Sequence, residues 1–143
     1  MNAEIQELVG QWLVKAENDF QAGLAILQAD QPPTDTICFH MQQCVEKHLK
    51  VYLTFHQEPF RRTHNIAELI EQCKDIAPVF DTLYGLQADT LTIYGIEIRY
   101  PDDFHVPTLA EAEQAKDIAR TVRAFVRAKL SQSGFDMEKK GPS

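Results

Sequence analysis

Basic residues are scarce in this chain. Fourteen lysines and arginines stand against twenty-one aspartates and glutamates, so the 143 residues carry a formal net charge of -7 at pH 7. That balance excludes broad, nonspecific binding to nucleic acid, whose affinity grows with the number of phosphates neutralised by Lys and Arg. Any contact with RNA must use a local basic site. Cysteine is equally sparse: Cys38, Cys44 and Cys73 are an odd number and lack Cys-x-x-Cys spacing. A disulfide framework and the common zinc or redox motifs are therefore not expected, and the three thiols read as reduced core residues. No apolar run approaches the ~20 residues that span a bilayer. The opening Met-Asn-Ala-Glu-Ile-Gln-Glu lacks a basic segment followed by an apolar one, which points to a cytoplasmic protein. There is no glycine-rich phosphate loop, no internal repeat and no low-complexity segment, and no cofactor is expected.

What the chain does have is helical periodicity. Ile5, Leu8, Val9, Trp12, Ala16, Phe20, Gly23, Ile26 and Leu27 recur at helical spacing, so residues 3 to about 29 form one helix with an apolar stripe. Pro32-Pro33 ends it, and Thr34 or Asp35 is placed to cap a second helix running to about Phe55. Cys38, Met41, Val45, Leu49 and Tyr52 form the stripe of this second helix, widened by Ile37, Cys44, Val51 and Phe55. So wide an arc calls for more than one covering neighbour. A loop around Pro59 precedes a short third helix marked by Ile66, Leu69, Ile70 and Cys73. Pro78 separates it from a fourth carrying Val79, Phe80, Leu83, Leu86 and Leu91, which is read as helical through the β-branched stretch to Ile98. Pro101 disfavours helical geometry at Tyr100 and opens a loop to Thr108. Thr108-x-x-Glu111 has the form of a capping box for a last helix. The expectation is one all-α, up-and-down bundle of about five helices over residues 1–131, with a frayed tail over 132–143.

Five groups of residues carry chemistry. Arg99 and His105, five residues apart around Pro101, bring a fixed cation and an imidazole together outside a regular helix. An imidazole suits proton transfer near neutral pH, and a guanidinium binds two phosphate oxygens through its planar fork. Such a pair fits either a phosphate contact or RNA cleavage by the 2′-hydroxyl; Asp102 and Asp103 beside Arg99 fit a structural ion pair. Asp19 lies on the apolar stripe of the first helix and needs a partner, which Arg99 or Lys47 can supply. Phe39, Gln43, Glu46, Lys47 and Lys50 share one face of the second helix opposite its core stripe. That face reads as a dimer or ligand contact, or as a solvated surface with a Glu46–Lys50 pair. Arg61, Arg62 and His64 stand at the start of the third helix, where backbone N–H groups favour an anion, or where they merely cap the helix. His40, Cys44 and His48 recur every four residues, a metal-ligand spacing whose apolar setting points to packing instead.

Several pieces of the sequence resemble, in order, the HEPN family (higher eukaryotes and prokaryotes nucleotide-binding domain). They are Lys15-Ala-Glu-Asn-Asp19-Phe, Phe39-His-Met-Gln-Gln43-Cys-Val-Glu46-Lys47-His-Leu-Lys50, Arg62-Thr-His64-Asn-Ile and Arg99-Tyr-Pro-Asp102. The resemblance implies a helical homodimer that binds a nucleotide or RNA phosphate, often with a small nucleotidyltransferase partner in a two-part, toxin–antitoxin-like system. In one branch it implies a metal-independent endoribonuclease with Arg, four to six residues, then His, which Arg99 and His105 match. That branch commonly has a polar residue after the arginine and a tyrosine two residues past the histidine; here Tyr100 and Pro107 occupy those places. Three functions follow as expectations: a nucleotide- or RNA-binding module, an endoribonuclease, and a purely structural interaction module.

Overall fold

The protein's structure, a computed structural model, describes residues 2–60, 62–95 and 106–137. Every regular element among them is helical: α1 (Ala3–Leu27), α2 (Thr34–Phe55), α3 (Ile66–Ile76), a 3-10 turn (Pro78–Asp81), the single turn α4 (Thr82–Gly85), a 3-10 stretch (Ala88–Gly95) and α5 (Leu109–Gln132). None of these helices is long and apolar enough to cross a membrane. The all-α bundle is thus as the periodicity implied.

Two of the helix starts show how local sequence sets the elements. The capping box of α5 is complete: Thr108 Oγ1 accepts from Glu111 N at 3.0 Å, and the Glu111 carboxylate accepts from Thr108 N. The start of α2 differs from expectation. Pro33 occupies the N-cap position and no side chain caps the helix, because Thr34 is already inside its first turn. Its hydroxyl instead donates to the Pro107 carbonyl at 2.6 Å, tying the start of α2 to the approach to α5. The far end of α5 closes with Gly134 at φ 100°, in the left-handed region where glycine avoids the Cβ penalty. Phe135 N then donates back to Leu130 O at 2.9 Å, and both side chains are buried, as a Schellman ending requires.

Helix α2 is the hub. It is packed by α1, α3, α5 and the 88–95 stretch. The wide apolar arc read from the sequence is buried accordingly: Ile37, Cys38, Met41, Cys44, Val45, Leu49 and Val51 are all at 0% exposure. Contacts fix the directions of the neighbours. Gly23 meets Met41 while Asp19 meets Lys47, so α1 runs antiparallel to α2. Pro107 meets Thr34, Arg127 meets His48 and Phe135 meets Phe55, so α5 runs parallel to α2. His64 meets Gln42, Cys73 meets Leu49 and Phe80 meets Tyr52, so α3 is parallel to α2 as well. Residues 56–65 therefore carry the chain back along α2, which sets His64 beside the middle of that helix.

The continuous fourth helix anticipated from Val79 to Ile98 is not formed. The chain breaks at Gln87, which takes a left-handed φ of 63°, and continues as 3-10 structure to Gly95; residues 96–98 lie outside the described residues. The β-branched Thr90, Thr92 and Ile93 lower the helical preference there. Thr92 also has another task, since its Oγ1 accepts from Ile66 N at 3.0 Å.

Replacing Thr108 by alanine removes one half of the capping box and is expected to cost about 1 kcal/mol in urea unfolding. An unchanged midpoint would show that α5 does not depend on this cap.

Candidate functional site

The polar side chains of α2 do not form a solvated face. Glu46 and Lys50 are buried, while Phe39, Gln43 and Lys47 are half-buried. Of the two sequence alternatives the solvated one is excluded for Glu46 and Lys50, because rotation about a helix identifies residues that share a face but not what covers it. Here α1 covers one flank of the face, and the returning 56–65 segment with Gly95 covers the other.

Glu46 sits at the centre of this arrangement, its side chain only 4% exposed. Its carboxylate accepts from Gln42 Nε2 at 3.0 Å and from Lys50 Nζ at 2.9 Å. His64 Nδ1 lies 2.9 Å away; because a carboxylate only accepts, Nδ1 carries the hydrogen and donates. Burial pushes the Glu46 carboxyl up, but the hydrogen bonds from Gln42, Lys50 and His64, with the Lys50 charge, hold it below the usual carboxylate range. His64 itself is 69% exposed on its outer side. A buried carboxylate fixing one nitrogen of an exposed imidazole leaves the other as an acceptor that can contact an anion only when it carries a proton.

Gln42, fully buried, joins the pieces. Its amide nitrogen also donates to the His64 carbonyl at 3.2 Å, and its oxygen accepts from Gln43 at 2.7 Å. Gly95 lies so close that an added Cβ would stand 2.8 Å from the Gln42 amide. Thus the His64 loop, the Glu46–Lys50 pair and the residue that leads into the Arg99–His105 segment all meet at one side chain. Arg99 and His105 themselves, and Arg61, lie outside the described residues. Arg62 is exposed. Lys50 Nζ also lies 5.5 Å from the Phe60 ring, whose edge meets Trp12.

The start of α3 is less open to an anion than its position suggested. Asn65, not His64, is the N-cap, its side chain accepting from Glu68 N, while Ile66 N is taken by Thr92.

Asp19 has the partner the sequence required, and it is Lys47, at 2.5 Å, joined by His40 Nδ1 at 2.9 Å. This ties α1 to α2, and it occupies the Lys47 ammonium. His40 and His48 are drawn to different partners, so the four-residue spacing builds no shared ligand set; among the described residues no group of three or more His, Cys, Asp or Glu is arranged to hold a metal.

A third polar cluster was not singled out from the sequence. Glu17 on α1 accepts from Arg123 Nε at 2.6 Å and Nη2 at 3.0 Å, and from Arg127 Nη2 at 3.3 Å. Arg127 Nε donates to His48 Nε2 at 3.3 Å, and His48 Nδ1 donates to the Cys44 carbonyl at 2.8 Å. His48 is therefore a neutral tautomer with both nitrogens engaged. Burial, reinforced by the charges of Arg127 and Arg123, lowers its pKa to about 4. The only sequence signal for this cluster is Arg123 and Arg127 four residues apart beside the apolar stripe of α5.

The family model described as HEPN domain matches residues 9–130. The chain belongs to the HEPN family. Its fold is similar to the crystal structure of TT1696 from Thermus thermophilus, with a TM-score of 0.74 and 28% identity over 87% of this chain and 99% of that one. It is also similar to ST0689, an archaeal HEPN homologue, with a TM-score of 0.63 and 24% identity over 85% of this chain and 97% of that one. No curated protein matches significantly. In this HEPN domain the first three sequence pieces noted above fall on α1, on α2 and at the start of α3, and the fourth lies outside the described residues.

Two measurements follow. Gly95→Ala forces a Cβ against the buried Gln42 amide, and is expected to cost about 1–3 kcal/mol in urea unfolding; a neutral effect would show that the close approach is not a constraint. His48 takes up a proton near 6.5 when unfolded but only near 4 when folded. Its contribution is thus whole above 6.5 and is lost as pH falls towards 4, by up to about 3 kcal/mol. In His48→Gln the fall in stability across that window should be shallower, and identical slopes in the two proteins would contradict this reading.

Proposed function

We propose that this HEPN domain is a homodimeric cytoplasmic module that binds a nucleotide or an RNA phosphate and works with a small nucleotidyltransferase partner in a toxin–antitoxin-like pair. The observation that carries this reading is the convergence at Gln42 of the Arg62–His64 loop and of Gly95, which leads into the segment bearing Arg99. Arg62, His64 and Arg99 are the ligand-contacting groups in this reading, with Arg61 beside them. Lys47 plays a supporting part, because Asp19 already neutralises it. A phosphate at this place would meet an imidazole held in one orientation by Glu46 and guanidiniums able to grip two oxygens.

A second reading has its own support. In an endoribonuclease that cleaves RNA through the 2′-hydroxyl, Arg99 stabilises charge on phosphorus oxygens and His105 transfers a proton. The Glu46-oriented His64 supplies a second imidazole, and such cleavage uses both an acid and a base.

Titration of a fluorescent adenine nucleotide and of a short single-stranded RNA at low salt tests the binding role. Saturable binding is expected, weakened about tenfold in Arg99→Ala and in Arg62→Ala, as for loss of a hydrogen bond to a charged group. Absence of saturable binding would leave a purely structural module. RNA cleavage in excess chelator that falls roughly a hundred- to ten-thousandfold in His105→Ala would establish the enzyme. Light scattering of the purified protein reads the dimer directly.

A further inference from the structure

The edge of α5 that faces α1 carries Arg120, Arg123 and Arg127 in successive turns. Residues three and four apart on a helix are neighbours about 5–6 Å apart, so the three guanidiniums form one row. Two of them lie near one aromatic ring: the Arg120 guanidinium is 5.9 Å and that of Arg123 5.4 Å from the centre of Phe20.

The charges in the row are not balanced. Glu17 is the carboxylate shared by Arg123 and Arg127, with Gln21 bonded to it, and Arg120 is exposed with no ion pair among the described residues. Lys116 continues the row towards the start of α5, but Glu113 and Asp117 neutralise it. Along this edge four cations, Lys116 and the three arginines, thus meet three carboxylates, Glu113, Asp117 and Glu17, a local excess of positive charge on a molecule whose net charge is -7. Arg123 and Arg127 remain 30% and 24% open to solvent. Burial, and next the Arg123 charge, lowers the pKa of Arg127, so an added anion would relieve a repulsion already present. The row lies in the α1/α5 groove, whereas the Gln42 convergence lies where α2 meets the His64 loop and Gly95.

We infer that the Arg120–Arg123–Arg127 row is a second RNA contact, which tracks the phosphodiester backbone of a single strand beyond the Gln42 site. The inference rests on the RNA-binding reading above, and gives it a length requirement: a mononucleotide reaches only the first site, whereas a longer strand engages both. Regular spacing and planar forks favour a chain of phosphates over the irregular carboxylates of an acidic peptide. Glu17 is then an internal competitor, occupying donors that a phosphate would use.

The test compares the full chain with Arg120→Ala, Arg120→Glu and Glu17→Gln for binding a 20-nucleotide single-stranded RNA, a mononucleotide and a polyglutamate of matched length. Arg120→Ala is expected to weaken the 20-mer about three- to tenfold and to reduce the slope of log affinity against log salt by about 0.7, the value for one phosphate contact on a single strand. Arg120→Glu should weaken it further, and mononucleotide binding should not change. Glu17→Gln should tighten the 20-mer, an effect opposite in sign to simple loss of structure. Unchanged RNA affinity and salt slope in Arg120→Glu, with binding still lost in Arg99→Ala, would overturn the second contact and leave the first site standing. Tighter binding of polyglutamate than of RNA, lost in Arg120→Glu, would overturn it in favour of an acidic protein surface. No binding of either nucleic-acid ligand by the wild type would overturn both.

Discussion

One buried carboxylate organises the centre of this molecule. Glu46 is taken out of water by the packing of α2, and an unpaired charge there would cost several kcal/mol. Three donors from two separate segments must reach it: Gln42 and Lys50 from α2 itself, and His64 from the end of the returning 56–65 segment. The same requirement fixes the path of the chain. His64 can meet Glu46 only because residues 56–65 run back along α2, and that return is what makes α3 parallel to it. Gly95 then fits against Gln42 because it has no side chain to displace the amide. The polar knot thus fixes His64 and Gly95, which border the two segments for which a phosphate-binding role is proposed.

A common rule governs the other carboxylates that face α2. Glu17 is matched by Arg123 and Arg127, and Asp19 by Lys47 and His40. Each pairing joins α1 to another helix, so charge neutralisation and helix packing are satisfied by the same contacts. The consequence for function is selective. Lys47 and Lys50 lose most of their ability to attract a distant anion, which leaves exposed cations such as Lys15, Arg62 and Arg120 to do so. On a chain with net charge -7, that confines anion contacts to few places.

Much of the fold was legible because apolar spacing reports directly on burial. The arc on α2 from Ile37 to Val51 required several covering helices, and the Thr108–Glu111 capping box marked the start of α5 to the residue. The burial of the polar face of α2 was not legible in the sequence, for a definite reason. Periodicity places Glu46 and Lys50 opposite the core stripe, but only the tertiary path of residues 56–65 buries them there. The break at Gln87 was hidden because a left-handed φ at a non-glycine residue leaves no mark in composition. Asp19 was identified as needing a cation, with Lys47 among its partners; the Glu17 cluster escaped notice because its three charged members look like ordinary surface residues when each is read alone.

The most direct measurement is a pH titration of the Glu46 side-chain carboxyl by carbon-13 NMR in the folded protein, with His64→Ala as comparison. If the buried carboxylate is held by Gln42, Lys50 and His64, it titrates below its ordinary value of 4.5, and loss of His64 moves it upward. A Glu46 that titrates at or above 4.5, or that ignores the removal of His64, would contradict the view that this charge binds the site together.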